Sequence, residues 1–258
     1  MMNRLILCSM SENIQVRVGV VNYLNTRPLM AAFDQGSMQD QIIWKAAYPS
    51  NVANELMVQD TDLALIPVAV IPEIPNAQIV SKFGIAASGP VASVCIFSEV
   101  PLEEITHLYL DYQSRTSVRL TEILLKNYWK MSPVLLKAEP GYEAKIQGKK
   151  AGVVIGDRAL MIRNQYRYIY DLAEAWLAHT QLPFVFATWV ANKPLSEDFL
   201  TAFSSTLENG LNQIDSLVEQ IEFPAYNLHT YYTENIDYRL TPAHIQGMNL
   251  FLEMLKAH

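Results

Sequence analysis

At residues 16–29 the sequence VRVGVVNYLNTRPL runs an apolar strand straight into a polar turn and then into a proline that starts a helix. No other feature narrows the choice of fold as far. Val16, Val18, Val20 and Val21 read as a buried strand, and Arg27-Pro28-Leu29 with Met30, Ala31, Ala32 and Phe33 reads as a short helix closed by Gly36. A strand feeding a helix through so short a turn is the repeating unit of α/β folds. The alternation recurs along the chain. QIIWKAAY (41–48) is a strand, and Pro49 with Ser50 opens a helix through Asp60 before the strand DLALIP. HLYLDY (107–112) feeds a helix over 115–129, where Leu120, Ile123, Leu124 and Tyr128 recur at helical spacing. VLLK and AGVVIG are further strands, and two amphipathic helices finish the chain. The last begins at Thr241-Pro242 and is expected to bury Ile245, Met248, Leu252 and Leu255. The pattern predicts an α/β protein with mainly parallel strands.

Two long extended segments, 79–98 and 182–192, bracket the middle α/β section. Such bracketing suggests a chain that crosses to a second lobe and later returns, although periodicity alone leaves a single doubly wound sheet open. Within this frame Asn25 lies at a strand-to-helix junction, where side chains and free backbone N–H groups face a ligand. A helix cap at Asn25 or Thr26 is the plainer alternative. Ser114, Arg115, Thr116 and Ser117 sit at a second such junction. Their hydroxyls and N–H groups, with the helix dipole, make a carboxylate cradle, unless Ser114 is only a cap and Arg115 a solvated charge. Ser93 falls in an apolar extended run and needs a hydrogen-bond partner if buried, ordinarily the backbone. Asp157 ends the strand AGVVIG before a helix, a capping position. Tyr23 alternates with Val21 and lines either the core or a cleft, and Asp62 reads as structural.

With 258 residues, 50% hydrophobic and 17% charged, the chain can bury one large core or two lobes. A net charge of −7 argues against a nucleic-acid or membrane-surface partner, so an anionic substrate needs a local positive site. Cys8 and Cys95 are too few for a disulfide framework or a zinc cage, and the five histidines show no metal-ligand spacing. There is no Gly-rich dinucleotide loop and no P-loop, so no cofactor is expected. In MMNRLILCSM the apolar run Leu5 to Leu7 is far shorter than a signal-peptide core, and no segment reaches the length of a membrane span. A cytoplasmic location is expected.

Five segments in register carry a resemblance. They are the opening segment with Tyr23-Leu24-Asn25-x-x-Pro28-Leu29, DLALIPVAVIP (62–72), GPVASVCIFSEVPL (89–102) with Pro90-Val91-x-Ser93, YLDYQSRTS (109–117) with the SRTS turn at 114–117, and AGVVIGDRAL (151–160) with Gly156-Asp157-x-Ala159-Leu160; the tail DYRLTPAHIQGMNLFLEML also fits. Together they resemble the chorismate dehydratase family, the first enzymes of the futalosine route to menaquinone. The resemblance implies a periplasmic-binding-protein-like (type II) fold, two α/β lobes joined by a two-stranded hinge, with lobe 1 at residues 1–90 plus 187–258 and lobe 2 at 91–186. It implies a hydro-lyase converting chorismate to 3-[(1-carboxyvinyl)oxy]benzoate and water in the cleft between lobes, with no cofactor and no metal. Catalytic parts fall to Asn25 and Ser93. Substrate binding falls to Tyr23, Thr26, Ser114, Arg115, Thr116, Ser117 and Asp157, the last as acceptor for a substrate hydroxyl or as an orienting group. Arg27 stands at a position variable in the family and receives no role. The expected partner is a small molecule, with a monomer or homodimer as the assembly. Other classes remain open: a carboxylate-binding or sensing protein of the same fold, or the later futalosine-pathway enzyme, expected to carry a catalytic histidine in a different N-terminal motif.

Overall fold

The computed structural model describes residues 15–256, so the N-terminal stretch around Cys8 lies outside the described residues. The first strand, β1 (Val16–Val21), is buried from Val18 onward and leads through a turn at Leu24–Thr26 into α1 (Arg27–Asp34). Gly36, at φ +90°, ends that helix in a backbone region only glycine enters without strain. β2 (Ile42–Ala47), α2 (Pro49–Met57) and β3 (Leu63–Pro67) follow, with β1 pairing parallel to both strands. A short 3-10 helix, Val68–Glu73, connects to β4 (Gln78–Ala87).

The chain then crosses to a second sheet. β5 (Val94–Ser98), β6 (His107–Leu110), α3 (Arg115–Asn127), β7 (Val134–Lys137), β8 (Lys150–Ile155), α4 (Gly156–Ile162), β9 (Tyr168–Asp171) and α5 (Leu172–Thr180) build it in order β7-β6-β8-β5-β9. β10 (Phe184–Ala191) returns to the first sheet, followed by α6 (Glu197–Leu211), α7 (Ile214–Gln220), α8 (Leu228–Thr230), a π-helical turn Tyr231–Asn235, β11 (Asp237–Arg239) and α9 (Pro242–Lys256). The first sheet runs β11-β4-β10-β3-β1-β2. Ala87, where the chain leaves this sheet, pairs with Phe184, where it comes back, so the two crossing strands lie side by side.

Several expectations need correction. Residues 79–98 are not one extended element but two strands in different sheets, separated by a connection in which Ala92 adopts φ +63°. Both sheets are mixed rather than mainly parallel: β10 runs antiparallel to β3 and β4, and β5 antiparallel to β8 and β9. The cause is the crossing itself, because a strand that returns directly from the other sheet enters antiparallel to its neighbour, without a crossover helix. The helix α2 stops at Met57, short of Asp60. On α9 the buried face is His244, Gly247, Met248 and Phe251, and Ile245, Leu252 and Leu255 are only partly covered.

β9, only four residues long, α5, which packs apolar residues on several sides, and β11 carried no expectation, and among the described residues four helices rather than the expected two follow β10. Trp176 of α5 sits edge-on to Phe184 and Phe251, at ring-centroid distances of 5.3 and 6.1 Å, so this helix is wedged between β10 and α9. Truncating so large a buried ring to alanine costs about 3–5 kcal/mol. Asp62 is structural, as read from the sequence: it accepts from Arg17 at 2.7 Å and Lys193 at 2.9 Å. Burial alone would raise its pKa, but the bonds from Arg17 and Lys193 outweigh it and hold the carboxyl well below the usual range.

Candidate active site

Between the two sheets lies a half-open pocket. Its lining includes Tyr23, Asn25, Thr26, Ser93, Ser114, Thr116 and Ser117, residues from three separate segments of the sequence. Val21, Leu65, Ile85, Val91, Ile155 and Phe186 supply apolar walls. A mostly apolar pocket with a few convergent polar groups is the usual form of a small-molecule site.

Asn25 is delivered by the turn between β1 and α1, closed by a hydrogen bond from Thr26 N–H to the Tyr23 carbonyl at 3.1 Å. Neither Asn25 nor Thr26 caps α1 with its side chain, so the capping role weighed for them is not what the structure shows. The Asn25 Oδ1 accepts from the Thr26 hydroxyl at 3.3 Å, and Tyr238 donates to the Asn25 carbonyl at 2.9 Å. The Asn25 side chain lines the cavity and also hydrogen-bonds the buried Tyr231 phenol.

The end formed by α3 is different. Ser114 is the helix N-cap, its Oγ accepting from Ser117 N–H at 3.0 Å, and it also donates to the Ser117 Oγ at 2.8 Å. With Ser114 thus committed, the Ser117 hydroxyl proton is the one left to donate into the cavity. Thr116 Oγ1 accepts from Ala69 N–H at 3.2 Å, which likewise frees its own proton. The first N–H groups of a helix have no intrahelical partner, and the helix dipole favours negative charge there. Capping and ligand binding, posed as alternatives for Ser114, coexist in this turn.

Two expected site residues lie elsewhere. Arg115 is absent from the cavity wall and pairs with Glu73 at 2.9 Å on the outer surface, because the first turn of α3 points it outward. Asp157 is also outside the cavity and does not cap α4, whose N-cap is Ile155. Instead its Oδ1 accepts from the Leu24 N–H at 3.0 Å, anchoring the turn that carries Asn25 from the opposite sheet. Burial raises its pKa, with the Leu24 hydrogen bond working against the shift.

Tyr23 crosses the cleft and donates to Gln113 Oε1 at 2.5 Å, and burial pushes its phenol well above the ordinary range. Its ring packs over Gly156, where an added Cβ would meet ring carbons at 3.2 Å. Gly156 also has φ +63°, so position 156 requires glycine twice over. Gln113 is in turn held by Arg158 at 3.1 Å, whose guanidinium pairs with Asp111 at 2.6 Å.

Ser93 follows the strained Ala92, whose N–H is bound by the Asp171 carboxylate at 2.8 Å and whose carbonyl accepts from Arg163 at 2.6 Å. These charged partners fix the backbone that aims Ser93 at the cavity. The Ser93 Oγ accepts from the fully buried Tyr231 at 2.8 Å, not from the backbone expected of a core serine. Tyr231 is a site neighbour that the sequence does not announce. A tyrosine pair in YYTEN signals burial, and nothing local announces a partner 138 positions away.

Among the described residues no group of three or more His, Cys, Asp or Glu could hold a metal ion, and no helix is long and apolar enough to cross a membrane. Solved structures share the architecture. A protein from Archaeoglobus fulgidus superposes with a TM-score of 0.75 at 12% identity, covering 94% of this chain and 97% of that one. A Candida albicans gene product described as having the generic periplasmic binding protein fold gives 0.67 at 12% identity, over 95% of this chain and 90% of that one. The periplasmic aliphatic sulphonate binding protein of Escherichia coli gives 0.64 at 15%, over 94% and 91%. The fold is periplasmic-binding-protein-like, and at these identities the likeness extends to fold alone. In sequence, the chain is 27% identical over 200 residues to the chorismate dehydratase of Thermus thermophilus, covering 69% of this chain and 73% of the relative. A family model described as menaquinone biosynthesis matches residues 16–257, and the chain belongs to that family.

Proposed function

We propose that this protein is a chorismate dehydratase, a hydro-lyase that converts chorismate to 3-[(1-carboxyvinyl)oxy]benzoate and water. The observation that carries the reading is the uncharged pocket with a helix N-terminus and hydroxyls at one end and a carboxamide at the other, in a member of the menaquinone biosynthesis family. Chorismate is a dicarboxylate, and the start of α3 with Thr116 and Ser117 suits one of its carboxylates. The apolar walls suit its ring.

The reaction removes a ring proton from the carbon bearing the enolpyruvyl ether and hydroxide from its neighbour, leaving an aromatic ring. Negative charge formed on the first carbon spreads through the adjacent double bond to the ring carboxylate. Donors fixed at that carboxylate stabilise it without reorganising, as in any preorganised oxyanion site. Of the cavity-lining side chains Tyr23 alone is titratable, and its raised pKa and committed hydroxyl make it no base at neutral pH. Asn25, a neutral carboxamide, is no base either. We assign the proton to a substrate carboxylate or to solvent, and to Asn25 the task of positioning the substrate and donating to the departing hydroxyl. Ser93 is the second catalytic donor. Asp157 acts by holding the Asn25 turn, and Arg115 by closing the outer surface. We place the lobe division at 1–90 plus 187–258 and 91–186, with β10 joining the first sheet from Phe184.

Purified protein incubated with chorismate tests this directly. Loss of the diene absorbance with appearance of an aromatic product of the dehydrated mass is the expected outcome. Saturable binding with no turnover would instead make the protein a binding module of this fold.

A further inference from the structure

The phenol of Tyr231 sits 0% exposed behind the cavity wall, in the π-helical turn at Tyr231–Asn235, and it does not line the cavity. It donates to the Ser93 Oγ at 2.8 Å, and the Asn25 side chain is a second hydrogen-bond partner of the phenol. Ser93 itself is 0% exposed; its N–H goes to the Val91 carbonyl at 2.7 Å, its carbonyl accepts from Gly156 N–H at 2.7 Å, and among the described residues its hydroxyl bonds Tyr231 alone. A serine hydroxyl has one proton to give and lone pairs to receive. With a lone pair occupied by Tyr231, the proton of Ser93 is what remains for a ligand in the cavity.

We propose that Tyr231 is a positioning residue for the reaction, turning Ser93 into a one-way donor aimed at the substrate; this rests on the dehydratase reading. A hydroxyl that accepts one hydrogen bond becomes a better donor of its own, because chains of hydrogen bonds in a low-dielectric interior polarise one another. The benefit falls where negative charge grows during the reaction rather than in the resting substrate. Tyr231 also comes from the segment after β10, so it ties the C-terminal part of the chain to the crossover between the sheets. A buried tyrosine placed only for packing would be indifferent to loss of its hydroxyl during turnover.

The test is steady-state turnover of chorismate by the full-length protein, its Tyr231→Phe and Ser93→Ala variants, and the double variant, each with a melting curve. Tyr231→Phe is expected to lower kcat by roughly tenfold, the equivalent of one hydrogen bond, with KM within about threefold of wild type. In the double variant both partners are apolar, which relieves the orphaned Ser93 and keeps the fold even where Tyr231→Phe alone melts early. Its kcat is expected to lie within about threefold of that of Ser93→Ala, since without Ser93 the tyrosine has no serine hydroxyl left to orient, and a larger loss would show it acting through Asn25 instead. A wild-type kcat in Tyr231→Phe overturns the proposal, and so does a double variant slower than Ser93→Ala by more than that margin. Absence of turnover by the wild-type protein is a separate result that removes the dehydratase reading as well.

Discussion

Asn25 and the SRTS turn divide the work at the level of single side chains, and each makes a distinct demand on a variant. Asn25 caps nothing with its side chain, so Asn25→Ala should leave melting unchanged. Binding of chorismate should also persist, because the carboxylate cradle lies on α3, while kcat falls roughly 10²-fold, the scale of one preorganised donor. Asn25→Asp keeps the shape but sets a negative charge beside an anionic substrate, and KM should rise. Normal turnover by Asn25→Ala would reduce the residue to a piece of the turn. At the other end of the cavity the hydrogen bonds separate two serines that sequence alone treats alike. Ser114 holds the helix end, and Ser117 lines the pocket with its hydroxyl proton uncommitted, as our assignment of it as a donor to substrate requires. Ser114→Ala should lower stability by about 1 kcal/mol as a lost cap, whereas Ser117→Ala should spare stability and cost about 1.5–3 kcal/mol in kcat/KM. Equal kinetic penalties from the two, with equal melting shifts, would contradict this assignment.

At the level of elements, the strand-to-helix junctions were the legible part of the chain, because each is written locally. The β1 to α1 turn, the start of α3 and the end of β8 were all placed from periodicity and helix-start chemistry, and the cavity forms where they meet. What the sequence did not disclose depends on partners distant along the chain. The role of Asp157 rests on Leu24, 133 positions away, and Ser93 is paired with a tyrosine in a short π-helical turn. The parallel-strand expectation failed for a related reason, since the direction of β10 is set by where the chain returns and not by its composition. Gly156 illustrates both kinds of information: its positive φ and the Tyr23 ring above it belong to different lobes. Gly156→Ala should therefore cost about 1–2 kcal/mol in stability from the backbone alone, and also displace Tyr23 and slow turnover. Asp62 supplies a test of the first sheet. Its folded pKa is depressed, so its contribution is present above the unfolded value of about 3.9 and is lost as pH falls through the folded one. Asp62→Asn should thus lower the melting temperature at pH 7, and the gap to wild type should shrink as pH is taken well below 4; a gap independent of pH would sink the ion-pair account.

For the whole molecule, the closed arrangement is held by a handful of contacts between the sheets: Tyr23 to Gln113, Leu24 to Asp157, Ala69 to Thr116, and Arg115 to Glu73. The exposed Arg115 pair adds little, as surface ion pairs do. The part-buried hydrogen bonds are each worth about 0.5–1.5 kcal/mol, so losing one shifts an open-to-closed equilibrium by up to about tenfold. Gln113 allows this to be tested without touching the cavity, because it lies outside the lining and receives the Tyr23 hydroxyl from across the cleft. Where the open form becomes dominant, apparent affinity falls by the fraction of closed molecules, while the chemistry of a molecule that has closed is unaltered. Gln113→Ala should then raise KM for chorismate several-fold, leave kcat at saturation near wild type, and increase the radius of gyration of the ligand-free protein in small-angle scattering. Added chorismate should restore the compact value. A variant that keeps both the wild-type KM and the wild-type radius would show that the Tyr23 to Gln113 bond is not a latch, and would leave closure to Asp157 and the α3 turn.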